Sequence, residues 1–188
     1  MTDDLRSALE RLERVEREVA HMRDTSAIRD VLTRYSRALD WLDDELLSDV
    51  FFDDAEIDYG FFKGNGRDFK PFLMQFERGV GRRWHSAGQV KIAVRDATAE
   101  VESYAFAFAA EQVSPPAHAH VMHFYGKYFD RFIKRDGRWA IIRRRYLQIS
   151  AAAIEEAPMD GALSQLNSIG AATPAHPDYR SLIDSDGP

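Results

Sequence analysis

TAEVESYAFAFAAEQV, residues 98–113, decides the fold class of this chain. Tyr104, Phe106 and Phe108 interleave with Ala105, Ala107 and Ala109. Successive side chains of an extended strand point to opposite faces, so this pattern puts rings on one face and leaves the other small. Three neighbouring stretches have the same extended character: Trp84 to Arg95 before it, and HVMHFYGKYFDRFIKR (120–135) and RWAIIRRRYLQISA (138–151) after it. Turn-rich segments separate them: Arg95-Asp96-Ala97, the loop Ser114-Pro115-Pro116-Ala117, and Lys134-Arg135-Asp136-Gly137. Asp-Gly in the last is a strong short hairpin signal. Within 120–135, Phe124, Tyr128 and Phe132 share one face and His123, Tyr125 and Phe129 the other. Bulk on both faces predicts a central strand of a curved sheet.

Upstream the period is helical. Between residues 3 and 23, Leu5, Leu12 and Val19 recur every seven positions, Ala8, Val15 and Met22 form the complementary seam, and Glu and Arg fill most of the rest. That stripe is too thin to fill a core and predicts a helix that packs on a partner subunit. Thr25 or Ser26 is placed to cap a second helix, about Ala27 to Leu42, with Ile28, Val31, Leu32, Tyr35, Leu39 and Leu42 spaced by three and four. A short helix from Asp44 to Val50 follows, then a strand from Ala55 to Gly60 with a hairpin partner beginning at Phe61 to Gly64. A further helix from Arg67 to Gly79 carries Phe69, Phe72, Leu73 and Phe76 on one side.

Helices first and a long antiparallel meander afterwards define an α+β fold with helices packed on one face of the sheet. A curved sheet closed by helices is a cone with one open mouth, and its apolar interior is the default place for a small apolar ligand. The expected organisation is an N-terminal helix contacting a partner subunit (1–24), the cone (25–152), and an Ala, Pro, Gly and Ser rich tail (153–188). The tail has one helical turn near Leu163 to Asn167 and is placed to cover the pocket mouth.

The bulk numbers narrow the function. A length of 188 residues with 45% hydrophobic and 30% charged suits one globular domain with some added elements. The net charge of −6 repels phosphate backbones, which argues against nucleic acid as the main partner. Arg143-Arg144-Arg145, the one basic cluster, lies inside a strand-like run. There are no cysteines, which removes disulfides, thiolate zinc sites and thiol nucleophiles and is compatible with a reducing cytoplasm. The N-terminus lacks the apolar region of a signal peptide, and no apolar run approaches the ~20 residues a membrane span needs.

Two polar residues fall where the pattern predicts pocket lining. Asp40 ends the long helix and His85 opens the first long strand. A carboxylate that accepts from one imidazole nitrogen fixes the tautomer and leaves the other nitrogen as a base. Spacing alone does not separate this from a capping Asp and a structural His. His118, His120 and His123 alternate beside the Pro-Pro loop, but no third ligand of a recognisable zinc motif accompanies them, so a loop at the cone mouth is expected instead.

Further residues carry a resemblance. Ile28-Arg29-Asp30-Val31-Leu32, Tyr35 and Ala38-Leu39-Asp40 are followed in order by Phe52-Asp53-Asp54-Ala55, Asp58-Tyr59-Gly60 and Gly64. Then come Trp84-His85, the run Gly126 to Phe132, Asp136-Gly137-Arg138-Trp139 and Arg143-Arg144. Over about residues 25 to 150 this resembles the SnoaL-like proteins of the NTF2-like superfamily. It looks like the branch that includes scytalone dehydratase and hexachlorocyclohexane dehydrochlorinase, enzymes with an Asp/His dyad inside the cone and no metal or organic cofactor. The resemblance places Asp40 and His85 as that dyad and Arg144 as the last-strand arginine. Pairing of Arg144 with Glu100 or Glu102 is the structural alternative. The dehydrochlorinase has Lys five residues before its Asp; here Tyr35 stands there, which suits a hydroxyl or carbonyl better than a leaving halide. Asp40, His85, Tyr35 and Arg144 are thus the expected catalytic set. Trp41, Tyr59, Phe61, Trp84, Phe106, Phe108, Phe124 and Tyr128 are the expected lining for a flat aromatic substrate.

The implied activity is a cofactor-independent elimination on a small, aromatic, hydroxylated substrate, by dehydration or by loss of formaldehyde. A polyketide-type cyclase or isomerase and a non-catalytic ligand-binding module stay open. The family habit implies a dimer or trimer.

Overall fold

In the computed structural model, residues 3–111, 120–156, 161–167, 169 and 172–180 are described. The first element, α1 (Asp3–Trp41), is one helix of 39 residues, not two. Thr25 and Ser26 lie inside it and cap nothing; the Thr25 hydroxyl is buried without a hydrogen-bond partner. The apolar spacing changes phase there because the helix changes what it packs on, and its backbone continues. Residues up to Arg23 are exposed, whereas Ile28, Leu32 and Leu39 are buried.

α1 ends in a pair of backbone bonds, Leu42 N–H to Leu39 C=O at 3.3 Å and Asp43 N–H to Ala38 C=O at 2.8 Å. This is the Schellman arrangement, with Leu42 in the left-handed position at φ 56° where glycine is usual. The chain turns sharply there. Asp43 then caps α2 (Asp44–Ser48) by accepting from the Leu46 N–H at 2.9 Å.

Strands β1 (Phe51–Asp58) and β2 (Lys63–Asn65) form a hairpin, and Asn65 caps α3 (Gly66–Arg78). Four long strands follow: β3 (Arg82–Arg95), β4 (Thr98–Ala110), β5 (His120–Arg135) and β6 (Arg138–Glu155). The β5–β6 turn has Asp136 at φ 51° and Gly137 at φ 78°, the paired left-handed residues a tight hairpin requires. The sheet order is β2-β1-β6-β5-β4-β3. All neighbours are antiparallel except β1 and β6, which run parallel, with Ile57 beside Arg144. The meander thus accounts for four strands, and the hairpin joins it in the other sense.

α1 and α3 cover one face of this curved sheet. Between them lies the core: Ile28, Leu39, Phe51, Ile57, Phe69, Met74, Phe132 and Ile141, each 1% exposed or less. Gly126 lets β5 bend over this face, since a Cβ there would lie 2.5 Å from the Tyr146 ring. Beyond β6 come a 3-10 turn (Gly161–Gln165) and α4 (Pro177–Arg180). The turn sits where the sequence predicts one; α4 was not anticipated. No helix among the described residues is long and apolar enough to cross a membrane.

Candidate active site

Asp40 sits on the last turn of α1, and the turn at Leu42 and Asp43 fixes where that helix stops against the end of β3. His85 faces the helix-covered side of β3, beside Ala107 of β4 in the same row as Phe124 of β5. The Asp40 Oδ1 and His85 Nδ1 are 2.8 Å apart, and the Asp40 Oδ2 accepts the His85 backbone N–H at 3.2 Å. A carboxylate only accepts, so Nδ1 carries the proton and Nε2 is the basic nitrogen. The two side chains are 19% and 13% exposed, sheltered but reachable.

A third residue completes this cluster. Glu77, on the last turn of α3, is 4% exposed. Its Oε1 lies 3.6 Å from His85 Nε2, and its Oε2 lies 3.7 Å from Arg83 Nε. Burial raises the Glu77 carboxyl above its ordinary 4.5; His85 and Arg83 pull the other way, and Asp40 adds to the rise. The imidazole therefore stands between two carboxyl groups, one per ring nitrogen. Arg83 is anchored by donating from Nη2 to the Val80 carbonyl at 2.7 Å. Glu77 escaped the sequence-based expectation, although a signal was present: it lies four residues after Leu73, on the same helical face as Phe69.

Two grooves meet at Asp40. One, about 320 Å³, runs between α1 and the free edge of β3 and is lined by Leu32, Thr33, Ser36, Arg37, Asp40 and His85. The other, about 520 Å³, wraps the end of β3 between Asp40, Trp41, Arg83, Trp84 and Phe108, with Ile169 and Thr173 of the tail forming part of its wall. The tail is docked there. Tyr179 is 3% exposed, its ring centroid is 5.3 Å from that of Trp41, its hydroxyl donates to Asp43, and Arg37 lies 5.0 Å over its ring.

The other expected site residues are dispersed. Tyr35 and Arg144 belong to a buried polar network in the cone. The Arg144 Nε and Nη2 donate to both Asp130 oxygens at 2.8 and 2.7 Å, and the pair is fully buried. The partner is thus Asp130, directly across β5–β6, and neither Glu100 nor Glu102; those bind Arg131 and Lys127 on the opposite face. Burial works against the Arg144 charge, but Asp130, together with Tyr59 and Tyr35, holds the guanidinium well above its ordinary value. The Tyr35 and Tyr128 rings stack on that guanidinium at 4.3 and 4.1 Å, and the Tyr35 hydroxyl bonds to Tyr59 at 2.7 Å. Burial pushes both the Tyr35 and Tyr128 phenols well up, so they stay protonated. Neither groove at Asp40 includes Tyr35, Tyr59, Tyr128 or Arg144.

The lining set also divides. Trp41 lines the larger groove beside Asp40, and that groove bends round the end of the sheet to Trp84 and Phe108, which point away from the His85 side. Phe106 is a correction: it packs on Trp84, His123 and Tyr125 on the face opposite His85, because neighbouring strand residues point to opposite sides. Phe61 is 65% exposed and packs on Phe72 and Phe76 at the surface. Phe124 is on the His85 side of β5. Of the histidines beside the Pro-Pro loop, His120 faces Glu111 at 3.2 Å, His123 packs on Phe106, and His118 lies outside the described residues.

A family model described as a SnoaL-like domain matches residues 20–145. A scytalone dehydratase-like protein from Novosphingobium aromaticivorans DSM 12444 is 27% identical, with a TM-score of 0.62 over 70% of this chain and 88% of that one. The type 3 hexachlorocyclohexane dehydrochlorinase of Novosphingobium barchaimii LL02 is 14% identical, with a TM-score of 0.62 over 75% and 99% of the two chains. An NTF2-like superfamily protein of Salmonella enterica is 14% identical, with a TM-score of 0.57 over 68% and 94%. No curated protein matches. From residue 20 to residue 145 the chain is a member of the SnoaL-like domain family, built on the NTF2-like fold.

Proposed function

We propose that this protein is a cofactor-independent lyase that eliminates water from a small hydroxylated aromatic compound, or formaldehyde together with water. The observation that carries the proposal is the His85 imidazole held between Asp40 on Nδ1 and the buried Glu77 on the Nε2 side. His85, oriented by Asp40, takes up the proton and returns it, and Glu77, 3.6 Å from Nε2, faces the positive charge that the ring carries in between.

In a dehydration, His85 Nε2 takes a proton from carbon. The C–H electron pair becomes the new double bond as the C–O bond breaks, and the imidazolium gives that proton to the departing oxygen, which leaves as water. His85 is neutral again at the end of the step. Formaldehyde loss uses the same imidazole. His85 takes the proton of a primary hydroxyl, formaldehyde departs, and the freed C–C pair expels a neighbouring hydroxyl, which leaves as water with the proton that His85 returns. Trp41, beside Asp40 in the adjoining groove, supplies a flat apolar wall for an aromatic ring.

The likeness to a scytalone dehydratase-like protein supports this class of reaction. The test is to incubate the pure chain with a panel of hydroxylated aromatic diols and follow products by mass. Loss of water or formaldehyde is expected from the native protein and not from His85→Ala. An unchanged substrate mass with a rearranged skeleton would make it an isomerase, and full turnover by His85→Ala would remove the dyad from the chemistry.

A further inference from the structure

The first half of α1 leaves the domain. Asp24 marks the exit, where its Oδ1 accepts from Trp139 Nε1 and Lys134 Nζ, both at 2.8 Å. The exposed residues before it extend about 30 Å at 1.5 Å per residue. Along this arm Leu5, Leu12, Val15, Val19 and Met22 are 50%, 54%, 50%, 38% and 69% exposed. They fall on the two seam positions of a heptad, Leu5, Leu12 and Val19 on one and Ala8, Val15 and Met22 on the other. An apolar stripe two positions wide is the seam of a two-helix coiled coil.

The charges beside the seam say what covers it. Asp4 and Leu9, the latter 43% exposed, flank its first turn, and four charges flank the rest, Arg11 and Glu18 on one side, Glu16 and Arg23 on the other. None of the four forms an ion pair among the described residues of its own chain, whereas Glu13 and Arg17, on the outer surface, pair with each other at 3.8 Å. In a parallel pair each residue on the first flank meets the one five positions later on the second flank of the partner helix. Arg11 then meets Glu16, and Glu18 meets Arg23, on both sides of the seam, while Asp4 falls beside Leu9. An antiparallel pair that stacks Leu12 on Val15 matches Arg11 with Glu18 but sets Glu16 beside Leu9, so it gains half as many opposite-charge contacts.

We infer that the arm of α1 is a homotypic docking surface, which pairs in parallel and in register with the arm of a second copy. The two arms meet along a two-fold axis, with Leu5 on Leu5, Leu12 on Leu12 and Val19 on Val19, and both domains lie at the same end.

Because the chain has no cysteine, one introduced thiol reports the register cleanly. In the full-length chain under mild oxidation, Leu5→Cys and Leu12→Cys should each give a covalent dimer on a non-reducing gel, and outward-facing Ser7→Cys should not. Leu5→Cys that links only to a Met22→Cys copy would overturn the parallel register; Leu5→Cys that never links would overturn the pairing. Independently, Glu16→Arg should raise the dimer dissociation constant roughly tenfold, and adding Arg11→Glu should restore it. Native affinity in Glu16→Arg would contradict the charge assignment.

Discussion

Asp40 holds His85 twice, through the imidazole Nδ1 at 2.8 Å and through the backbone N–H at 3.2 Å. The first bond chooses the tautomer, and the second ties the carboxylate to the strand that carries the imidazole. Asp40→Asn keeps the shape but offers a single acceptor oxygen. We expect ¹⁵N spectra of the ring nitrogens to report one tautomer in the native protein and a mixture in the variant. Turnover should fall roughly a hundred- to ten-thousand-fold. One tautomer persisting in Asp40→Asn would mean that something else orients the ring.

Glu77 should leave a signature in stability as well as in catalysis. Its carboxyl is raised above 4.5, chiefly by burial. The folded chain therefore holds that proton more tightly than the unfolded chain does. This contribution favours the fold below pH 4.5 and is lost as pH rises through the folded value. Glu77→Gln has no proton to lose. Its melting temperature relative to the native protein should climb as pH rises from 4.5 upward and then level off, read from paired thermal melts across pH. A difference that falls with pH would show the carboxylate to be the favoured form.

The Arg144–Asp130 pair predicts a non-additive result. Arg144→Met leaves Asp130 buried without its cation, which costs about 3–5 kcal/mol by comparison with other buried pairs. Replacing both, Arg144→Met with Asp130→Leu, should return most of that loss in urea unfolding. Two single losses that simply add would show that the partners do not depend on each other.

Tyr179 anchors the tail, so its removal should act locally. Tyr179→Ala gives up the contact with Trp41 and the bond to Asp43. Limited proteolysis should then cut beyond β6 much faster, and Trp41 emission should shift to the red, with little change in the global unfolding midpoint. Protection equal to that of the native chain would place the anchor elsewhere.

How much of this was legible can be traced to particular residues. The alternation around Phe106 and the Asp136-Gly137 turn placed the strands well, and β5 runs from His120 to Arg135 as its sequence suggests, because period and turn chemistry are local properties. That Asp40 and His85 meet was also anticipated. The single helix was missed because a phase change in apolar spacing resembles a break. The parallel neighbour of β1 and the Asp130 partner of Arg144 were missed because each depends on which strands end up adjacent. Trp84 follows a simpler rule: it precedes His85 on a strand and so points the other way. Glu77 was hidden because an acid in a helix is usually solvated, and only its apolar neighbours at four-residue spacing betrayed it.

The clamp at Asp24 has a consequence for the order of assembly. Its partners, Lys134 and Trp139, lie more than a hundred residues later, in the hairpin of β5 and β6. Contacts over such separations form late, after the intervening loop has been closed at an entropic cost. On the ribosome the arm therefore emerges long before anything exists to aim it, and two nascent chains on one message could zip together while their domains are still unmade.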